Sequence, residues 1–340
     1  MINLMDLSRG EIEEYILSLN QPLFRAKQIY SWVNSGVADF DEMTNVPKSL
    51  RDRLREDGAI CGCLEPVKKL ISAVDGTVKY LYKLYDGNLI ESVVMEYKHG
   101  TTICVSTQVG CKMGCTFCAS CESGFVRNLS AGEILSQVIT SNRDLNKKIS
   151  NVVLMGIGEP FDNYDNVVKF IKLANDERGL NMGNRHFTVS TSGIVPRILD
   201  FIKDCDQVNL SISLHASSDS KRSAIMPINN KYSIDKLVEI CKIYTKETRR
   251  RITFEYALIA GENDDAKDAE ALGKLIKNML CHVNLIPVNP VFGKSYTKSS
   301  KQVIGKFIRV LESYGVTATV RREMGTDINA ACGQLRASNI

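Results

Sequence analysis

Beyond Gly100 the chain alternates short, β-branched apolar runs with amphipathic stretches, and no other feature limits its possible folds as much. The runs are 102–106, 152–156, 187–191, 208–213, 252–258 and 283–288, each of strand length and too short for a buried helix. Between them, Ser130-Ala-Gly-Glu133 and Ser299-Ser-Lys-Gln302 have the spacing of capping boxes, in which two side chains three residues apart satisfy each other's backbone N–H groups. The second opens a helix with Val303, Phe307, Val310 and Tyr314 on one side and Gly315 at its end. Strand–helix repeats of this kind bury a parallel sheet behind helices, so the expected fold class is α/β, a partial (β/α)6 barrel over residues 97–340. In such barrels the chemistry collects in loops at the C-terminal ends of the strands.

The region before the barrel reads differently. Residues 1–60 predict three short helices: Ser8-Arg9-Gly10-Glu11 is a capping box leading into Ile12, Ile16 and Leu19, a second helix spans 23–36, and a third starts at Pro47 with Leu50 and Leu54 on one face. They are expected to form a small separate helical accessory domain. From Glu65 to Tyr97 the period becomes two, with a turn at Asp86-Gly87, which predicts a β-hairpin linker segment over 61–96. Residues 1–60 hold 7 Lys/Arg against 10 Asp/Glu and the rest 36 against 29, so the net charge of +4 argues only weakly for nucleic acid. The basic runs Arg249-Arg250-Arg251 and Arg321-Arg322 read first as solvated faces.

No window approaches the roughly 20 apolar residues of a membrane span, and the first residues lack a basic start and cleavage site. A soluble, cytoplasmic, monomeric protein without a membrane partner is expected. Eleven cysteines in 340 residues would suit a disulfide framework only in a small secreted chain, so metal or catalytic thiols are the better reading.

Three of those cysteines stand in Cys111-Lys-Met-Gly-Cys115-Thr-Phe-Cys118, directly after the first barrel strand. Three thiols in eight residues imply a metal. They satisfy three irons of a [4Fe-4S] cubane and leave the fourth open, whereas Cys121 as a fourth ligand would complete a structural zinc site. The CxxxCxxC spacing, with an aromatic before its last cysteine, resembles the radical S-adenosylmethionine superfamily, in which the open iron is chelated by the cofactor's amino and carboxylate groups. Other strand ends offer polar groups suited to that cofactor: Gly156-Ile157-Gly158-Glu159-Pro160, Ser190-Thr191-Ser192-Gly193, Ser213-Leu214-His215 and Asn289. Near the C-terminus, Gly325-Thr-Asp327-Ile-Asn-Ala-Ala-Cys332-Gly-Gln334-Leu335 presents one thiol, which the residues alone leave open between a small buried hydrophobe and a reactive group.

Taken together, Cys104-Val-Ser-Thr-Gln-Val-Gly-Cys111, the cysteine loop, Gly158-Glu159-Pro160, Ser213-Leu-His215 and Ala-Ala-Cys332-Gly-Gln-Leu resemble the RlmN family of RNA adenine methyltransferases over nearly the whole chain. The resemblance includes Phe24-Arg25-Ala26-Lys27-Gln28 and Phe40-Asp41-Glu42-Met43 near the front. It implies a radical SAM barrel with cluster ligands Cys111, Cys115 and Cys118, and with cofactor contacts from Gly158, Glu159, Ser190, Ser213, Leu214, His215 and Asn289. It also implies Cys332 as an S-methylcysteine intermediate, Cys104 as the thiol that resolves it through a transient disulfide, and Glu91 as proton acceptor. Two S-adenosylmethionine molecules per turnover, an electron donor such as flavodoxin or ferredoxin, and methylation at C2 of adenosine 2503 in 23S rRNA and of adenosine 37 in tRNAs follow from the same likeness. RNA contacts are expected from Arg25, Lys27, Arg51 or Arg55. The sister family that methylates C8 of the same rRNA adenosine shares the cysteine loop and the ending, but tends to carry alanine where this chain has Pro160. A colourless zinc-stabilised RNA-binding protein without catalysis is the reading from another class. Cys121 and the segment around Glu122, Ser123, Gly124 and Phe125 depart from the family pattern.

Overall fold

The computed structural model describes residues 1–122, 124–289, 291 and 293–335, so Ser123 lies outside the described residues. Each of the six expected runs falls on a strand, to the residue at Phe187–Thr191 and Ile252–Leu258. In chain order the strands are β1 (Ile2–Asn3), β2 (Ala59–Ile60), β3 (Glu65–Ile71), β4 (Val78–Lys83), β5 (Leu89–Tyr97), β6 (Gly100–Cys104), β7 (Gln108–Gly110), β8 (Phe125–Asn128), β9 (Asn151–Leu154), β10 (Phe187–Thr191), β11 (Asn209–Ser213), β12 (Ile252–Leu258), β13 (Cys281–Pro287) and β14 (Ala318–Val320). The helices are α1 (Arg9–Ser18), α2 (Phe24–Asn34), α3 (Lys48–Glu56), α4 (Ala131–Leu145), α5 (Tyr164–Asn175), α6 (Val195–Asp204), α7 (Asp219–Ile225), α8 (Ile234–Thr248), α9 (Ala266–Ile276) and α10 (Lys301–Ser313).

One ten-stranded sheet organises the molecule in the order β14-β13-β12-β11-β10-β9-β6-β5-β4-β3. From β6 to β14 neighbours are parallel, and from β6 back to β3 they are antiparallel. The parallel part has a seventh, three-residue strand, β14, too short to show a period in the sequence. The segment expected as a hairpin linker is a three-strand meander built into the same sheet, turned into β6 at Gly100, whose φ of +126° favours glycine.

The capping box at Ser8 and Glu11 forms as expected, and Ile12 and Ile16 are buried beneath it. Leu4, Ile12, Ile29 and Leu50 of the N-terminal helices share one contiguous core with Ile134 and Val138 of α4, so the helices pack on the barrel and do not close a core of their own. Close approach explains Gly132 in α4. Its N–H donates to Asp6 Oδ1 at 2.5 Å, and a Cβ there would fall 2.7 Å from the Met5 carbonyl carbon.

At α10 the cap is one residue later than expected. Ser300 Oγ accepts from Val303 N, while Ser299 Oγ donates to Asp264, and the buried stripe is Ile304, Phe307 and Leu311. No helix among the described residues is long and apolar enough to cross a membrane.

Candidate active site

β6 ends at Cys104, and the chain then makes a short antiparallel ribbon, β7 with β8, that carries the cysteine loop between its strands. Gly110 permits the ribbon: its φ is +71°, and a Cβ would fall 1.7 Å from the Gly124 carbonyl oxygen. Cys111 N donates to that same oxygen at 3.0 Å. Gln108 ties the ribbon to the next strand end, accepting from Glu159 N at 2.9 Å and donating to Asn128 and Asp162, each at 2.8 Å.

Cys111, Cys115, Cys118 and Cys121 all line one cavity at the C-terminal mouth of the barrel, of about 980 Å³ including its open mouth. Hydrogen bonding to Cys121, followed by burial, raises the thiols of Cys111, Cys115 and Cys118, while Cys121 itself is lowered by the same three neighbours. Among the described residues no three His, Cys, Asp or Glu side chains are disposed around a point to hold a single metal ion. Thiols spread along one loop are a donor set chemically suited to an iron–sulfur cluster, whose irons each take a separate thiolate.

The far wall is polar where the sequence expected it. Gly158, Glu159, Ser190, Ser213, His215 and Asn289 line the cavity. Leu214 does not: its side chain is fully buried in the apolar core, and only its backbone serves the site, accepting from Arg222 Nε at 3.0 Å. The Glu159 carboxylate accepts from Phe161 N at 3.0 Å and Ser192 N at 2.7 Å, and burial raises its pKa despite them. A carboxylate so placed fits a ligand ammonium, whose charge would offset the lost hydration. His215 adopts φ +56°, and its Nδ1 accepts from Ala257 N at 2.9 Å, so the ring is neutral and Nε2 carries its proton. Burial, then Arg222, pushes its pKa down to about 3.

A second cavity opens off the first and holds Cys104 together with Cys332, which lines both. Cys104 packs among Val93, Met95, Ile157, Ala330 and Leu335, and burial, with Cys332 beside it, pushes its thiol up to about 12. The C-terminal loop is fastened across the mouth by Ala119 N to Gly333 O at 2.8 Å, Ser120 Oγ to Leu335 O at 2.7 Å and Asn289 Nδ2 to Cys332 O at 3.0 Å. Glu91 lies on β5, two residues before Val93, which pairs with Cys104. It lines neither cavity and is ion-paired with Lys79 at 2.8 Å.

Two arginines of the site gave no signal in the sequence. Arg222, alone on a seven-residue helix, is fully buried and donates to the carbonyls of Leu214, Ser192 and Ser213 and to Asn229 Oδ1, bracing two strand ends at once. Arg321, read as part of a solvated basic run, lines both cavities, and its guanidinium is held protonated by Cys332, Glu255 and Cys104 around it.

A partial barrel with a cysteine loop after its first parallel strand defines a radical SAM enzyme, and residues 105–272 match the family model described as the radical SAM superfamily. Residues 2–60 match that of the ribosomal RNA large subunit methyltransferase N-terminal domain. The chain is 55% identical over 339 residues to the "Probable dual-specificity RNA methyltransferase RlmN" of Alkaliphilus oremlandii, covering 100% of this chain and 98% of that one, and 54% identical to its namesake in Clostridium perfringens with the same coverage. A crystal structure of a radical SAM methyltransferase from Sphaerobacter thermophilus superposes with a TM-score of 0.95 at 43% identity, over 99% of this chain and 100% of that one. The chain belongs to the RlmN family of radical SAM RNA methyltransferases.

Proposed function

We propose that this enzyme methylates C2 of adenosine 2503 in 23S rRNA and C2 of adenosine 37 in tRNAs through a methylated Cys332. The observation that carries the reading is that Cys332 lines two cavities, one with the cluster-loop cysteines and one with Cys104. When bound, a [4Fe-4S] cluster and two S-adenosylmethionine molecules supply in succession an electrophilic methyl group and a hydrogen-abstracting radical.

In this reading Cys111, Cys115 and Cys118 would hold the cluster. Glu159 takes the cofactor's ammonium, Ser190, Ser213 and Asn289 its hydroxyl and carboxylate groups, and Gly158 and His215 the adenosine. Cys332 Sγ would accept the methyl group by displacement, with S-adenosylhomocysteine leaving, and after loss of one hydrogen atom from that methyl group its carbon would bond to C2 of the adenine, joining enzyme and RNA. Glu91, ion-paired with Lys79, would accept the C2 proton. Once the adduct has passed its unpaired electron to the redox partner, Cys104 Sγ would attack Cys332 Sγ, breaking its bond to the transferred carbon, which takes up a proton to become the new methyl group, and the disulfide left behind would be reduced by an external thiol. An electron donor of the flavodoxin or ferredoxin kind and a monomer acting in the cytoplasm complete the reading.

Residues 1–60 are proposed as an RNA accessory domain, followed by the meander at 61–96 and the barrel at 97–340. Arg51 pairs with Asp41, and Arg55 with Asp39, Asp41 and Asp52, so their charges are largely answered within the domain. Arg25 and Lys27 remain as its candidate contacts.

The test is methylation of unmodified 23S rRNA and tRNA transcripts under anaerobic reduction, with the digested nucleosides separated and weighed. 2-Methyladenosine, lost in Cys332→Ala, is the expected product. 8-Methyladenosine would assign the sister activity, and a colourless zinc protein without product would overturn the reading.

A further inference from the structure

The cavity holding Cys104 and Cys332 continues toward the opposite end of the barrel. It shares Met95, Tyr97 and Arg321 with a third cavity at the N-terminal ends of β9, β10 and β11. That cavity shares Arg185, Thr188 and Asn209 with a groove walled by Arg249, Arg250 and Arg251. A chain of adjoining cavities therefore leads from the cysteine loop, past Arg321, to a rim of four arginines drawn from two distant stretches of sequence.

The rim is built from the ends of neighbouring elements. Asn209, first residue of β11, donates to the Arg185 and Phe187 carbonyls at 2.8 and 3.0 Å and accepts from Arg250 Nη2 at 2.6 Å. Arg185 Nε donates to Gln207 Oε1 at 3.0 Å, and Arg249 and Arg251 are exposed. No carboxylate is among the described residues lining either the groove or the adjoining cavity, and none of the four arginines is in an ion pair there. This contrasts with Arg51 and Arg55 of the N-terminal helices. Guanidinium forks without carboxylate partners, two of them held by the bonds to Gln207 and Asn209, match phosphodiester oxygens.

We propose that Arg185, Arg249, Arg250 and Arg251 form the phosphate-gripping surface for the RNA, so that the target nucleoside enters at the N-terminal end of the barrel strands while the cofactor occupies the C-terminal end. The proposal rests on RNA being the substrate. The groups at the rim contact sugar–phosphate backbone near an unstacked nucleotide, and the polar strand starts Thr188 and Asn209 flank the way in. Sequence readout is not required of the rim, which serves both an rRNA and a tRNA substrate through their common backbone.

The experiment measures binding of an unmodified 23S rRNA transcript spanning adenosine 2503, across a range of salt, to the cluster-loaded protein and to the triple variant Arg185→Ala/Arg249→Asn/Arg251→Ala. Asparagine is chosen at 249 because φ there is +53°. The expected result is at least roughly tenfold weaker binding at low salt and a salt slope smaller by about 2 to 3, one contact per arginine removed. Iron content and affinity for S-adenosylmethionine should be unchanged, since these three side chains touch neither cofactor cavity. A triple lysine variant should keep most of the slope. Wild-type affinity and slope in the triple variant would overturn the rim while leaving the RNA reading intact, and absence of binding by the unaltered enzyme would overturn both.

Discussion

Lys79 and Glu91 meet at 2.8 Å on adjacent strands β4 and β5, both withdrawn from water, and the same ammonium donates to the Asn329 carbonyl at 3.1 Å. Lys79 faces Val93 and Glu91 faces Leu81 in the register, so the ion pair is a diagonal one. It joins the meander to the loop that presents Cys332. Lys79→Met should remove this ammonium from beside the buried carboxylate and lower stability by about 3 to 5 kcal/mol, whereas Lys79→Met with Glu91→Leu should recover most of it. Urea denaturation of the two variants measures this, and the single variant should also show faster protease cleavage near Asn329.

Arg222 makes its bonds to three carbonyls and one amide through a fork that lysine cannot reproduce. Arg222→Lys, with three donors for four acceptors, should leave at least one of them without a donor and cost about 1 to 3 kcal/mol. The wall bearing Ser192 and Ser213 should loosen with it, so calorimetric affinity for S-adenosylmethionine should fall by roughly tenfold or more.

Cys121 separates a three-thiol from a four-thiol site. Anaerobically purified Cys115→Ala and Cys118→Ala should lose their iron, sulfide and brown colour, while Cys121→Ser should keep all three. Retention of a tightly held zinc in place of iron, lost only when Cys121 is removed as well, would sink the cluster assignment.

His215 makes stability depend on acid. Its folded pKa of about 3 lies below the ordinary 6.5, so between those values the unfolded chain binds more protons and stability rises with pH. The contribution is complete above about pH 6.5 and is lost progressively as pH falls toward 3. Between pH 7 and pH 5 the wild type should lose about 2 kcal/mol more than His215→Gln in denaturant titrations. Equal losses would mean that the ring is protonated in the folded state.

What the sequence made legible depended on how local the cause was. Phe187–Thr191 could be bounded to the residue because the polar His186 and Ser192 flank it, and Ile252–Leu258 because it starts directly after three arginines and a turn at Gly261 follows closely. The cap of α10 was misplaced by one because Ser299 and Ser300 are chemically equal, and only the tertiary partner Asp264 separates them. The cysteine loop, Glu159, His215 and Cys332 were visible from spacing and likeness. Arg222 and Arg321 were not, since nothing in the neighbours of a lone arginine or an Arg-Arg pair announces burial against strand ends far away in the chain. The rim shows the same limit, because Arg185 joins Arg249, Arg250 and Arg251 only through the pairing of β10 with β11 and of β11 with β12.

The fastening of the C-terminal loop also sets an order in time. Ser120 and Leu335, bonded across the mouth, are 215 residues apart. At roughly 5 to 20 residues per second of synthesis, the cysteine loop has left the ribosome about 10 to 40 s before the segment that will cover it exists. During that interval Cys111, Cys115 and Cys118 stand without the cover that the C-terminal loop gives them, and Cys332 reaches them only afterwards.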